Sequence, residues 1–183
     1  HAHLDHSGYL PKLVREGFEG PIFCSSASAD LCEILLKDSA FIAEKDAFLA
    51  NKHKYTKHAP ALPLYTIKDA EAALKQLRPI PFHKEIELPG GGQVKLRRAG
   101  HILGAANAEL HWGGKTIVFS GDIGRYGDPF MLDPEPVAEA DYVLVESTYG
   151  DRTHPKNDPM EALGSVIEKT ARRGGTVVIP AFA

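Results

Sequence analysis

The chain has 183 residues, enough for one domain with a real core. Apolar residues make up 43% and charged residues 25%, so an intrinsically disordered chain is excluded. Lysine plus arginine total 21 against 24 for aspartate plus glutamate, a net charge of -3 that excludes a strongly basic nucleic-acid coat but leaves room for a local basic groove. No apolar run approaches the ~18 residues that span a bilayer, and no signal peptide opens the chain, so no membrane partner is expected. Cys24 and Cys32 are too few for a disulfide scaffold and match no zinc-knuckle spacing, which fits core packing in a reducing, cytoplasmic setting. The chain starts at His1 without an initiator Met and stops at Ala183 in a strand-like run, so both ends read as cuts through a larger protein.

In chain order, residues 1–8 read as a polar, His-rich turn, and Tyr9 to Glu16 as a short helix closed by Gly17. Pro21 to Cys24 is a strand candidate. From Asp30 to Ala50, Leu31, Ile34, Leu35, Phe41 and Ile42 recur at helical spacing, predicting one or two helices. Asn51 to Leu64 is a loop in which His53 and His58 sit among lysines; a solvated loop is the plain reading and a phosphate-contacting patch the functional one. Thr66 and Asp69 have the spacing of a capping box, with the helix continuing from Ala70 to Leu77.

The period then changes. Lys84 to Leu88 and Gln93 to Arg98 are strand candidates around Pro89-Gly90-Gly91-Gly92, and Ala108 to Trp112 and Lys115 to Ser120 form a hairpin around Gly113-Gly114. Asp141 to Glu146 is a short apolar run ending in a carboxylate. Asp158 caps a helix that has Pro159 at its first position and runs to Arg173, and Thr176 to Pro180 reads as a last strand. Mixed α and β elements with central hairpins predict a layered sheet-and-helix domain.

The informative excess is the nine histidines, three of them in His1-Ala2-His3-Leu4-Asp5-His6. Imidazole suits zinc, and a carboxylate adds charge and a hard oxygen. Such density suits a sharp loop at a strand end and can serve two metals. A purification tag would be a plain run of histidines without the interleaved Leu4 and Asp5. Gly100-His101 and Gly121-Asp122 are weaker signals; each alone reads as a core histidine or a turn aspartate.

Taken in order, HAHLDH, AGH at 99–101 and SGD at 120–122 resemble the metallo-β-lactamase superfamily of binuclear hydrolases. Glu146-Ser147-Thr148-Tyr149-Gly150-Asp151-Arg152 resembles a motif of the β-CASP nucleases, the branch that contains the cleavage-and-polyadenylation endonucleases and their bacterial and archaeal relatives; Ile179 to Ala183 resembles the strand before the β-CASP cap. The resemblance implies an α/β (α+β) fold, an αββα sandwich incomplete at both ends, with 1–183 a partial metallo-β-lactamase domain that stops just before the cap. It implies two Zn2+ ions: His1, His3 and His101 on one, Asp5 and His6 on the second, and Asp122 bridging. Glu146 would orient a ligand histidine, and Asp5 would also orient a metal-bridging hydroxide that attacks phosphorus.

Tyr149, Arg152 and His154 would contact substrate, single-stranded RNA being the expected one. A homodimer of the parent protein is a further expectation. A last zinc-ligand histidine and a leaving-group histidine of the family would lie beyond Ala183, so weak or absent activity is expected of these residues alone. Endonuclease and exonuclease action both remain open. The alternatives are another hydrolase of the same fold, acting on a thioester, lactone or lactam, and a catalytically silent nucleic-acid-binding relative.

Overall fold

A computed structural model describes residues 1–153 and 158–180. The chain divides into two compact units, His1–Glu146 and Ser147–Ala183. The first contains helices α1 (Leu4–Ser7), α2 (Leu10–Arg15), α3 (Ser26–His53) and α4 (Ile67–Leu74), with strands β1 (Ile22–Cys24), β2 (Leu77–Pro79), β3 (Ile86–Glu87), β4 (Gln93–Arg98), β5 (Ala106–Trp112), β6 (Lys115–Phe119) and β7 (Tyr142–Leu144). The second contains α5 (Pro159–Arg172). The mixed α+β class is as the sequence predicts. No helix among the described residues is long and apolar enough to cross a membrane.

Two sheets organise the first unit: a parallel pair β1-β2, and a five-stranded sheet in the order β3-β4-β5-β6-β7. The latter is antiparallel from β3 to β6, and β7 joins β6 in parallel. Parallel neighbours need a crossover, and residues 120–141 supply it. Its far end is pinned by Asp141, whose carboxylate accepts the Thr116 N–H at 2.8 Å and meets Lys115 Nζ at 2.6 Å. The helical core gathers Ala2, Cys32, Leu36, Ala40, Tyr65 and Ala70, so the histidine-rich segment is rooted in the core by Ala2. Tyr65 is fully buried with its hydroxyl satisfied by Ser39 Oγ at 2.9 Å.

Several local expectations change. Residues 1–8 are not a plain turn or a strand-end loop: Ser7 N–H bonds His3 O at 2.9 Å and Gly8 N–H bonds Leu4 O at 2.7 Å, making one helical turn with His3 at its N-cap. Ser7 Oγ donates to Ala2 O at 2.8 Å and fixes that turn from beneath. Residues 26–53 form one unbroken helix, begun by Ser25, whose hydroxyl accepts the Ser28 N–H. The Thr66–Asp69 capping box is present, but its helix stops at Leu74 because Leu77 to Pro79 pair with Ile22 to Cys24. The strand expected over 84–88 shrinks to Ile86–Glu87, since His83 turns the chain at φ +66°. The strand expected over 176–180 does not form. Asp158 does cap α5, accepting the Met160 N–H at 2.8 Å.

Candidate metal centre

Three segments of the first unit meet at the ends of its elements. The α1 turn presents Asp5 and His6, and the residues just before it His1 and His3; the loop after β4 presents His101; the turn after β6 presents Asp122. Their ligand atoms fall into two groups, His1, His3, His101 and Asp122 in one, Asp5, His6 and Asp122 in the other, with the atoms of each group within 4.8 Å of one another. Asp122 belongs to both. Its Oδ1 lies 3.2 Å from His6 Nε2, while its Oδ2 lies 3.5 Å from His1 Nε2 and 3.6 Å from His101 Nε2. Asp5 Oδ2 lies 3.5 Å from His6 Nε2.

The burial is graded. The His1 side chain is 1% exposed and Asp5 74% exposed, so the cluster has a closed floor and an open rim. His1 Nε2 and His3 Nδ1 approach to 2.9 Å. The buried His101 Nε2 has no hydrogen-bond partner among the described residues, although a buried polar atom ordinarily finds one. A divalent cation fits this donor set: imidazole nitrogens converging on a shared carboxylate, with an orphaned nitrogen on the inside.

The supporting contacts explain how distant segments are brought together. Gly124 N–H donates to Ala99 O at 2.7 Å, and Gly124 sits so close to Gly100 that a Cβ would overlap its carbonyl oxygen. Glycine at 124 is therefore what lets the His101 and Asp122 loops touch, while a Cβ on Gly100 would instead run into Leu132 O and Pro134 of the outer loop. On the other side, Ser25 Oγ and Ser28 Oγ donate to Gly104 O at 2.7 and 3.1 Å, tying the His101 loop to the start of α3. Glu146 Oε1 accepts the Ile123 N–H at 2.7 Å, and Glu146 N–H donates to Ser120 Oγ at 3.0 Å, so Glu146 clamps both sides of Asp122.

Sequence reasoning missed Ser7, Ser25, Ser28 and Gly124, and picks out Ser120 only as a member of the SGD motif, with no role of its own. Isolated serines and a turn glycine carry no signal until the tertiary contacts are seen; for Ser25 and Ser28 only their place before a helical run offered a hint.

The outer loop is strapped down as well. Glu135 pairs with Arg98 and with His83, whose Nε2 lies 2.7 Å from Glu135 Oε2. Burial pushes the Glu135 carboxyl up, but hydrogen bonds from His83 and the Arg98 backbone, with the Arg98 charge, outweigh it and hold it below the usual range. Below the cluster, a cavity of about 300 Å³ is lined by His1 and His6 together with Cys24, Cys32 and Leu96. Burial pushes both thiols up, Cys24 to about 11.

Tyr149 and Arg152 lie in the second unit, where Arg152 forks onto Asp151 with contacts of 2.8 and 3.1 Å. His154 lies outside the described residues, as do Ala181 to Ala183 of the expected cap-leading strand.

No protein-family profile matches the chain. Curated proteins that align with all of it include ribonuclease TTHA0252 of Thermus thermophilus at 37% identity, transcription termination factor FttA of Methanocaldococcus jannaschii at 34%, and cleavage and polyadenylation specificity factor 73 of Drosophila melanogaster at 32%. The chain spans 38%, 28% and 25% of their respective lengths. These relatives and the mixed α+β architecture define a metallo-β-lactamase-fold protein. Within that superfamily the chain belongs to the β-CASP branch.

Proposed function

We propose that the protein hydrolyses phosphodiester bonds of single-stranded RNA with the help of two zinc ions. The observation that carries this reading is the Asp122 carboxylate, which turns one oxygen to His6 and the other to His1 and His101. A bridging carboxylate of this kind is what a two-metal hydrolase needs. The names of two relatives, a ribonuclease and a cleavage and polyadenylation factor, support RNA as the substrate.

His1, His3 and His101 would hold one ion, Asp5 and His6 the other, and Asp122 both. When bound, the pair supplies Lewis-acid charge and lowers the pKa of water towards neutrality. The rest falls to the chain. Exposed Asp5 stands on the open rim, placed to accept a hydrogen bond from the attacking water and aim it at phosphorus. Glu146 keeps the Asp122 turn from shifting when substrate charge arrives. Buried His1 and the loops around Gly100 and Gly124 exclude bulk water from the floor. Arg152, Tyr149 and His154 are assigned to substrate contact, a guanidinium being suited to phosphate oxygens. The same reading takes residues 1–183 as part of a metallo-β-lactamase domain that leads into a β-CASP cap. It makes the protein a cytoplasmic homodimer.

The test is cleavage of a labelled single-stranded RNA by the full-length protein loaded with zinc. Cleavage that vanishes on chelation and returns with zinc is the expected result. A protein that spares RNA and turns over a thioester would overturn the reading.

A further inference from the structure

The helix α3 carries a stripe that the candidate centre does not use. Its inward side buries Cys32, Leu36 and Ala40 at intervals of one turn. At about 100° per residue, the opposite side is a band roughly 80° wide. Read along the chain, that band is Asp30, Ile34, Asp38, Phe41, Lys45, Phe48 and Lys52, all of them exposed. Ile34 is 67%, Phe41 55% and Phe48 64% open to solvent, more than isolated surface apolar residues of a helix require. Ile42, 49% exposed, flanks the band. On the neighbouring flank Lys37 and Glu33 satisfy each other at 3.0 Å, whereas Asp30, Asp38, Lys45 and Lys52 have no ion-pair partner among the described residues.

The order of the band is its main feature. Acidic residues alternate with apolar ones before Phe41, and basic residues alternate with apolar ones after it. The pattern reads the same backwards with the charges inverted. We propose that this face of α3 docks on the same face of a second copy of the chain, the two helices lying antiparallel about a two-fold axis at Phe41. In that register Asp30 faces Lys52 of the other copy, Ile34 faces Phe48, Phe41 meets its own counterpart, and Asp38 comes within one residue, about 1.5 Å along the helix, of the Lys45 position. A two-fold axis repeats each pairing, so every charge in the band gains an opposite neighbour. A parallel in-register pair would set Asp on Asp and Lys on Lys, so the charges select the antiparallel arrangement. The interleaved aspartates disfavour a nucleic-acid strand or an anionic membrane on this face.

The inference gives a surface to the homodimer named above and is independent of the hydrolytic chemistry. One helix pair covers less than the ~1,200–2,000 Å² of a standard interface, so the dimer is expected to dissociate in the micromolar range.

Sedimentation of the full-length protein at about 100 µM, above that range, tests it. The wild type sediments as a dimer. Asp38→Lys alone and Lys45→Asp alone each set like charges against one another twice and weaken the dimer by about tenfold or more. The double variant Asp38→Lys with Lys45→Asp recovers the dimer, which a merely unfolded protein would not do. Circular dichroism melts and zinc content stay at wild-type values throughout, which separates a failure here from a failure of the metal-site reading. A monomeric wild type, a dimer indifferent to both single changes, or a double variant that does not recover overturns the proposal.

Discussion

The Asp122 carboxylate stands between two imidazoles, its Oδ1 3.2 Å from His6 Nε2 and its Oδ2 3.5 Å from His1 Nε2. A carboxamide cannot serve both sides, because one of its two terminal atoms is an NH₂ donor. Asp122→Asn is therefore expected to reduce bound zinc from two ions per chain to one or none. RNA cleavage should fall by more than the ~10–100-fold typical of outer partners of a metal site. Metal content by plasma mass spectrometry checks the first point; two tightly held ions in the variant would contradict it.

Glu146 acts on Asp122 through the backbone, accepting the Ile123 N–H at 2.7 Å. Glu146→Ala removes that acceptor and is expected to weaken zinc binding by ~10–100-fold. Glu146→Gln keeps an acceptor oxygen at the same reach and should recover most of the loss. Competition with a chromophoric chelator measures both. Equal losses in the two variants would show that the negative charge, and not the Ile123 contact, is what matters.

At the crossing of the two metal-site loops, a Cβ on Gly124 would overlap Gly100 O. Gly124→Ala must therefore push the His101 and Asp122 loops apart, and a loss of ~1–3 kcal/mol in stability is expected. Gly164, inside α5, has nothing within 4 Å of a built Cβ. Gly164→Ala should stabilise by ~0.5–1 kcal/mol, the helix propensity gain. Urea denaturation of the two variants reads opposite signs; a neutral Gly124→Ala would mean the loops can separate freely.

The half-buried Cys24 and buried Cys32 thiols give a pH dependence. Burial pushes Cys24 up to about 11, and the nearby Cys32 thiol adds to the push. A raised folded value means that the native state favours the neutral thiol. Its contribution to stability is complete below the unfolded value of ~8.5 and is lost as the pH rises towards about 11. The urea midpoint should drop across that interval, and less so in Cys24→Ala. At pH 8, a disulfide reagent should label the native protein far more slowly than the denatured one. Prompt stoichiometric labelling of Cys24 in the native state would refute this.

The sequence made the candidate ligands and the helix signals legible for a physical reason: both are local. HAHLDH is dense enough to stand out, the Thr66–Asp69 box and the Asp158–Pro159 start are short-range hydrogen-bond chemistry, and Gln93–Arg98 shows as a strand with the right bounds. What remained hidden is tertiary. Nothing local says that Leu77 leaves a helix to pair with Ile22, or that Gly124 must touch Gly100. Ser120 and Glu146 meet because β7 returns parallel to β6 after a long crossover, a relation with no short-range trace. Four ligands in six residues crowd a helix face, so the dense histidine segment reads from sequence as a strand-end loop. One helical turn, with His3 at its N-cap position and Ser7 holding it from beneath, carries Asp5 and His6 instead, with His1 and His3 just before it.

The most direct test of the two-metal account is anomalous scattering at the zinc edge from crystals of the full-length protein. Two peaks are predicted, separated by the ~3.5–4 Å typical of two-metal hydrolytic sites, both touching Asp122. One should lie among His1, His3 and His101, the other beside Asp5 and His6. A single peak, or two peaks of which either lies away from Asp122, would contradict the account.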